Sequence, residues 1–312
     1  MSQIPPKLGE QVVKIAIDAD LSGQRLDNFL LARLKGLPKS RLYRLLRKGE
    51  VRINGKRVKP SQRLQVGDEV RVPPIRLGAS APLPEVKQGL ADRLVNSVIY
   101  EDPDVIVLNK PAGMAVHGGS GIHLGLIEAF RQIRPECKQL ELVHRLDRDT
   151  SGCLVLAKKR SALTTIHAQQ HSGGMQKQYL AIVEGQWPKH LDEIRAPLHK
   201  YNLGSGERMV KVAKEGKAAH TLFSRQSSGD SASLIVATLV TGRTHQIRVH
   251  TQFAGHPIVG DTKYGGSRKN HPHLCLHAHK LKLLLPSGKR INLIAELPKE
   301  FMRAAKEWGI DV

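Results

Sequence analysis

A proline-rich stretch divides this 312-residue chain and limits what either side of it can fold into. Four prolines and several small residues follow Val72, which is typical of a semi-extended linker rather than of a packed element. We therefore expect a small domain at 12–75, a linker at 76–96 and a larger domain at 97–312. The last of these is long enough to bury a sizeable core.

The first 75 residues read as a self-contained module. Apolar residues recur at helical spacing in QRLDNFLLARL and again in SRLYRLLRKG. In the second stretch Ser40 is a suitable N-cap, and Gly49 suits the left-handed position after the helix end. Asn54-Gly55, inside VRINGKRV, is the dipeptide most typical of a tight hairpin turn. The sequence thus predicts two helices, a hairpin and a further strand in LQVGDEVRV.

Cations dominate this module and the chain as a whole. Residues 33–63 hold twelve Lys and Arg against one acid, Glu50, and the whole chain carries a formal net charge of +21. Such an excess indicates a polyanionic partner, because each cation that meets a phosphate releases counterions. An arginine-rich helix face followed by a basic hairpin predicts contacts with RNA. The candidate RNA-binding residues here are Arg41, Arg44, Arg47, Lys48, Lys56, Arg57 and Lys59.

The cysteines and the apolar runs of the sequence indicate the cellular compartment of the protein. Cys137, Cys153 and Cys275 are far apart and form no Cys-x-x-Cys pair, which suits a reduced cytosolic protein. The N-terminal segment lacks the features of a secretory signal, and no apolar run approaches the roughly 20 residues that span a bilayer. We expect a cytoplasmic protein with no membrane partner.

The larger domain mixes strands and helices. The runs SVIY, DVIVLNK, CLVLA, YLAIVEG and SLIVATL predict strands. SALTTIHAQQ predicts a helix capped by Ser161, THQIRVHTQFAG a helix ended by Gly255, and PKEFMRAAKEWG a terminal amphipathic helix. Because the strands come in adjacent runs rather than in steady alternation with helices, an α+β fold with a mixed sheet is favoured.

Two patterns resemble a nucleotide-binding loop and a metal site, but each lacks residues that such a site needs. The loop VHGGSG is glycine-rich but lacks the Gly-Lys-Ser/Thr that a nucleotide-binding loop needs, so no nucleotide cofactor is expected. His271, His273, Cys275, His277 and His279 share one parity and would lie on one face of a continuous strand. Pro272 would interrupt that strand and no neighbouring acid completes a zinc site, so no metal is expected.

The segment ELVHRLDRDTSGCLVLAKKR places two acids among arginines just before a buried strand. Asp149, followed by Thr150 and Ser151, is suited to bonding backbone amides in the turn. Asp147 is then a lone carboxylate, which we expect the neighbouring Arg145 and Arg148 to keep ionised. An ionised carboxylate serves as a nucleophile or a base rather than as a general acid.

The same segment carries a resemblance. HRLDRDTSGCLVLAK resembles the catalytic motif of the pseudouridine synthases that modify ribosomal and transfer RNA. Four further segments agree in order and spacing: YEDPDVIVLNKPAGMAVH, KQYLAIVEG, TGRTHQIRVHTQFAGHPIVGDTKYG and LHAHKLKLLLPSG. Residues 20–75 resemble the alpha-L RNA-binding domain named after small-subunit ribosomal protein S-four. The resemblance implies an α+β fold with a mixed, mainly antiparallel central sheet and flanking helices, preceded by a small alpha-L domain.

The resemblance also implies roles for single residues. Asp147 would be the catalytic carboxylate, Tyr179 the aromatic that packs on the target base, and Arg248 the cation that pairs with Asp147. Arg145 would enter the RNA helix in place of the displaced uridine, and Leu281 would form an apolar wall of the pocket. His144 and His245 receive no catalytic role. No cofactor or metal is implied.

The implied substrate is large-subunit ribosomal RNA or its precursor, isomerised at three uridines; the protein partners stay unknown. Whether Asp147 attacks the sugar or removes its 2′ proton stays open. Three alternatives also stay open: a non-catalytic RNA-binding assembly factor, a metal-dependent RNA hydrolase using the histidine strand, and a synthase of the same family acting on other ribosomal or transfer RNA uridines.

Overall fold

A separate hydrophobic core organises each of two units of the chain, Met1–Leu83 and Pro84–Val312. The computed structural model describes residues 11–19, 21–34, 36–75, 83–119, 122, 124–204, 207–266 and 271–312. Lys35, Ser120 and Gly121, which belong to patterns discussed above, lie outside these ranges. None of the described helices is long and apolar enough to cross a membrane.

The N-terminal unit packs two helices against a four-stranded antiparallel sheet of order β1-β4-β2-β3. Its elements are β1 (Val13–Ala16), α1 (Leu26–Arg33), α2 (Lys39–Lys48), β2 (Arg52–Ile53), β3 (Lys56–Arg57) and β4 (Glu69–Val72). The hairpin prediction is confirmed, since Asn54 (φ 49°) and Gly55 (φ 76°) both take the left-handed conformation. Gly49 (φ 70°) ends α2 as predicted. Ser40 is not the N-cap, because α2 begins at Lys39 after Pro38.

The predicted linker contains a helix. Residues 76–82 lie outside the described part, but α3 spans Gln88–Val95 and buries Leu94 in the core of the C-terminal unit. Gln132 also fixes this segment, donating to the Pro84 carbonyl at 3.0 Å and accepting from the Val86 amide at 3.1 Å. The prolines precede the helix, so they do not prevent it. The predicted limits 12–75, 76–96 and 97–312 stay a prediction.

The C-terminal unit is built on one long sheet. Its strands are β5 (Val98–Glu101), β6 (Val105–Lys110), β7 (Glu141–Leu142), β8 (Ser151–Ala157), β9 (Gln176–Glu184), β10 (Glu193–Arg195), β11 (Leu198–Asn202), β12 (Arg208–Val212), β13 (His220–Ser228), β14 (Ala232–Leu239), β15 (Leu276–Leu284) and β16 (Arg290–Ile294). Its remaining helices are α4 (Leu126–Ile133), α5 (Arg160–Ser172), α6 (Gln246–Phe253) and α7 (Lys299–Glu307).

Strand order in this sheet is β10-β13-β14-β9-β15-β8-β6-β5, with β16 beside β15 and β7 beside β8; β11 and β12 form a hairpin of their own. The described pairs are antiparallel except β15 with β8, which confirms the predicted mixed, mainly antiparallel α+β fold. At that parallel contact Gly152 (φ 106°) is required, because a Cβ there would lie 2.3 Å from the Ala278 carbonyl oxygen.

Two local predictions in this unit need correction. Helix α5 begins at Arg160 after Lys159, so Ser161 lies inside its first turn and is not the cap. The proposed histidine strand is shorter than expected, since β15 starts at Leu276 and includes only His277 and His279. His277 is fully buried, and its Nδ1 lies 2.8 Å from the Ser151 hydroxyl.

Candidate active site

A cavity of about 780 Å³ lies in the C-terminal unit, within the size range of ligand pockets. Its walls come from the turn before β8, from β9, from the end of β14 with the loop after it, and from the start of α6. Asp147, Tyr179, Arg248 and Arg145, four residues that the sequence singled out, all line it. The fold therefore brings together residues up to 103 positions apart.

The turn that carries Asp147 is held by a buried lysine. Lys110 is fully buried at the end of β6, and its ammonium donates to the carbonyls of Pro111 (2.8 Å), Met114 (2.9 Å) and Arg148 (3.0 Å). Burial lowers the pKa of Lys110 to about 7, although the nearby acids oppose this. Because Arg148 follows Asp147 directly, this anchor fixes the backbone beside the candidate catalytic carboxylate.

Arg248 bridges two carboxylates. Its Nε and Nη2 donate to the two oxygens of Asp261, both at 2.7 Å, while its Nη1 donates to Asp147 Oδ2 at 3.0 Å. The pair with Asp261 is bidentate and almost fully buried, the strongest geometry available to an arginine. Burial alone would lower the pKa of Arg248, but hydrogen bonds and charges from Asp261 and Asp147 raise it above its usual value. Asp147 itself is 25% exposed, so substrate can reach it.

The arginines adjacent to Asp147 do not supply its charge partner. Arg148 pairs instead with Asp149 at 3.2 Å, and the Arg145 side chain is exposed. Within the described residues neither arginine pairs with Asp147; the cation that bonds it is Arg248, 101 residues away, as the resemblance implied. Asp149 likewise uses its carboxylate for this surface ion pair, rather than for the turn amides as expected.

Tyr179 lies on β9 with its ring in the cavity wall and its side chain buried. Burial, and then the charge of Asp147, raise the pKa of Tyr179 well above its usual value. Its hydroxyl therefore keeps its proton at neutral pH. A rigid, neutral aromatic in the cavity wall is suited to packing on a planar ring.

His245 is a cavity residue that the sequence reasoning left as structural. It takes a left-handed backbone conformation (φ 54°), which is costly for histidine and tends to occur at functional sites. Its Nε2 lies 3.7 Å from Asp147 Oδ1, and its Nδ1 lies 2.6 Å from the Tyr264 hydroxyl. Spacing gave no signal for it, because His245 is the N-cap residue of α6 and lies outside the helical repeat that contains Arg248.

Tyr264 fixes the state of this histidine. The Val210 amide donates to the Tyr264 hydroxyl oxygen at 3.1 Å, which leaves the phenolic hydrogen free to bond His245 Nδ1. Burial lowers the pKa of His245 to about 4, although Asp147 opposes this, so the ring is neutral at pH 7. With Nδ1 accepting from Tyr264, the remaining hydrogen lies on Nε2, the nitrogen 3.7 Å from Asp147 Oδ1. Tyr264 also stacks beside Arg248, whose guanidinium carbon is 5.0 Å from the ring centroid.

Comparison with known proteins identifies the chain. Residues 104–253 match the family model described as RNA pseudouridylate synthase, and residues 24–70 match the S4 domain. The ribosomal large subunit pseudouridine synthase C of Escherichia coli (strain K12) is 50% identical over 308 residues, 94% of this chain and 95% of that protein. The protein of the same description from Haemophilus influenzae is 54% identical over 259 residues, covering 83% of this chain and 80% of its own length.

The chain belongs to the RNA pseudouridylate synthase family. It is thus an isomerase that converts uridine to pseudouridine. The solved structure of human RNA Pseudouridylate Synthase Domain Containing 4 is similar to it, with a TM-score of 0.61, 25% identity, and coverage of 72% of this chain and 97% of the human chain. The fold prediction, including the small N-terminal RNA-binding domain, is confirmed.

Leu281 was predicted to form an apolar wall of the pocket in this synthase, but it is not among the residues that line the cavity. It is fully buried and pairs with Lys177 in the register between β15 and β9. A bulge between His277 and Lys280 adds one residue to β15, so Leu276 and Leu281 share a sheet face although their numbers differ in parity. Of the two, Leu276 lines the cavity, while Leu281 packs beneath the wall.

The synthase presents cations in both units. On α2 the apolar side chains Leu42, Leu45 and Leu46 are buried. Six of the predicted RNA-binding side chains are exposed and Arg41 is half-buried; the six are Arg44, Arg47, Lys48, Lys56, Arg57 and Lys59.

A second group of cations surrounds Lys200 on β11, and sequence reasoning missed all of them except Arg145. Burial lowers the pKa of Lys200, and so do the charges of Arg145, Arg208, Lys217 and Arg243. Arg145 and Arg243 belong to the cavity wall, so this basic group reaches the candidate active site.

Proposed function

We propose that this synthase isomerises specific uridines of large-subunit ribosomal RNA, three in number, with Asp147 as the catalytic carboxylate. The curated relatives described as ribosomal large subunit pseudouridine synthase C support the class of substrate. The exposed cations of the N-terminal unit and the basic group around Lys200 support an extended RNA contact.

A uridine within folded RNA must leave its stack before its glycosidic bond can be reached, at a cost of a few kcal/mol. Phosphate contacts offset that cost. Arg145 is suited to take the place of the displaced base, since it is exposed while also contributing to the cavity wall. The flipped uracil would then pack on Tyr179.

Cleavage of the bond between uracil N1 and ribose develops positive charge on the sugar, which a nearby carboxylate stabilises or captures. Arg248 and Asp261 hold the Oδ2 side of Asp147, while Oδ1 makes no hydrogen bond in the described part of the chain and has only His245 Nε2 at 3.7 Å. Oδ1 is therefore the oxygen that meets the sugar, both for attack on C1′ and for removal of the 2′ proton.

One observation carries the proposal: a partly exposed aspartate, bonded on one oxygen by an arginine that also pairs with Asp261, shares a cavity with a buried tyrosine. An inert RNA-binding protein has no need of such an arrangement. A metal-dependent hydrolase would need acids or histidines converging on an ion, whereas the histidines of β15 bond a serine and a backbone carbonyl.

The test uses a 23S rRNA transcript carrying tritium on carbon five of its uracils, because forming pseudouridine expels that hydrogen into water. Wild type should release tritium, and Asp147→Asn should release at least about 1,000-fold less. Asp149→Asn is the matched control, since Asp149 lies two residues away in a surface ion pair, and it should retain activity. Tight RNA binding by wild type without release from any stable RNA would refute the proposal in favour of an assembly factor.

A further inference from the structure

Lys177 is a cation of the cavity wall that has no charge partner among the described residues. It lies on β9 two residues before Tyr179, so both side chains project from one face of the sheet, roughly 7 Å apart along the strand. The side chain is half-buried. Within the described ranges, its ammonium group makes no hydrogen bond or ion pair. A cation partly withdrawn from water and left unpaired gains from an anion that enters the cavity.

The other cations of the cavity wall are engaged or solvated. Arg248 is bound by Asp261 and Asp147. Arg243 is exposed and donates its Nε to the Ala218 carbonyl at 3.0 Å, and Arg145 is exposed. Burial lowers the pKa of Lys177, and no acid opposes that shift as the acids around Lys110 do.

The reaction generates an anion inside this cavity. When the bond from N1 to C1′ breaks, its electron pair stays with N1, and the charge spreads over the two uracil carbonyl oxygens. Asp147 cannot stabilise that charge because it is itself an anion on the sugar side. Carbon five then bonds to C1′ and loses its proton while N1 gains one, so the product is an isomer with no net change in atoms or charge.

We propose that the ammonium group of Lys177 is the counter-ion of the uracil anion formed on glycosidic bond cleavage. This inference rests on the proposed function. Lys177 is placed for it by its position beside Tyr179, the residue on which the base packs. The pairing is strongest after the bond has broken, because neutral uridine offers only carbonyl dipoles. Lys177 thus acts mainly on the rate of the chemical step and only weakly on RNA affinity.

The experiment compares single-turnover rates at saturating enzyme for a uridine transcript and for the same transcript with 5-fluorouridine. Fluorine withdraws electrons and makes the base a better leaving group, so its departure depends less on a cation. Fluorine also replaces the hydrogen on carbon five, so that reaction releases no such hydrogen. Its rate is measured instead as the loss of N1-linked 5-fluorouridine, quantified after nuclease digestion.

Lys177→Met should lower the rate on uridine RNA by about 100- to 1,000-fold, the usual effect of removing one donor to a developing anion. The loss on 5-fluorouridine RNA should be at least about tenfold smaller, and RNA affinity should change by less than about threefold. Lys177→Arg, which keeps the charge, should recover part of the rate. Lys282→Met is the matched control: an exposed lysine outside the cavity wall, whose loss should change neither measurement.

Two results would overturn the inference. Equal losses on both transcripts would show that Lys177 does not act on the leaving group. Weaker RNA binding with a shallower salt dependence and an unchanged saturated rate would make Lys177 a phosphate contact. Folding is checked by fluorescence of Trp187 and Trp308, and Lys177→Arg keeps the test open if the methionine variant unfolds. Absence of wild-type activity would instead refute the proposed function itself.

Discussion

Asp261 is the main partner of Arg248, and replacing it with asparagine should destabilise the C-terminal unit. The side chain of Asp261 is 1% exposed and that of Arg248 10%. Breaking a buried pair by removing one partner costs about 3–5 kcal/mol, because the other charge stays buried. Arg248 keeps its bond to Asp147 at 3.0 Å, so the lower end, about 3 kcal/mol, is expected. This corresponds to a fall in Tm of about 6–12 °C.

Both tryptophans of the chain, Trp187 and Trp308, lie in this unit, so their fluorescence during urea or thermal unfolding reports on it alone. Asp149→Asn removes the same charge from a pair with Arg148 whose side chains are 49% and 63% exposed. That control should lose less than about 1 kcal/mol. Equal losses of unfolding free energy in the two variants would refute the argument that burial determines how much each ion pair contributes to stability. A loss below about 1 kcal/mol in Asp261→Asn would refute it too.

Three further outcomes are expected. Burial lowers the pKa of His277 to about 4, so this residue alone should account for up to about 3 kcal/mol of the unfolding free energy that wild type loses as the pH falls from about 6.5 to about 4. His277→Asn should show a smaller loss over that range in urea titrations; an identical slope would contradict the assignment. Tyr264→Phe removes the hydroxyl that fixes His245 and should lower the single-turnover rate about tenfold. The double variant Tyr264→Phe, His245→Gln should be little slower than His245→Gln alone. Fully additive losses of rate would show that the two residues act independently. Arg44→Gln should weaken RNA binding and reduce the slope of log affinity against log salt by about one, and an unchanged slope would remove Arg44 from the interface.

Local signals in the sequence were sufficient for much of the fold. The Asn54-Gly55 turn and the left-handed Gly49 depend on backbone preferences of single residues, so they can be read without tertiary context. Strands β8, β9 and β14 are apolar runs buried within a wide sheet, and they were predicted at the correct places. The N-caps failed because α2 and α5 begin without any side-chain cap.

What the sequence could not provide depends on long-range contacts. Arg248 was assigned to Asp147 by resemblance, but the role of Asp261 as its stronger partner exists only once the loop after α6 folds back. His245 was passed over because its left-handed backbone is not visible in a string of residues. Leu281 was misplaced because one extra residue in β15 changes which residues share a face.

Strand β15 joins the two halves of the long sheet, pairing with β9 on one side and β8 on the other, yet it follows both of them in the chain. Asp147 belongs to the half built on β8, and Arg248 follows β14 in the other half. A nascent chain that has not yet produced β15 therefore contains both residues but not the strand that holds their halves in register. We therefore expect a chain that stops before β15 to be inert, however much of the motif it carries.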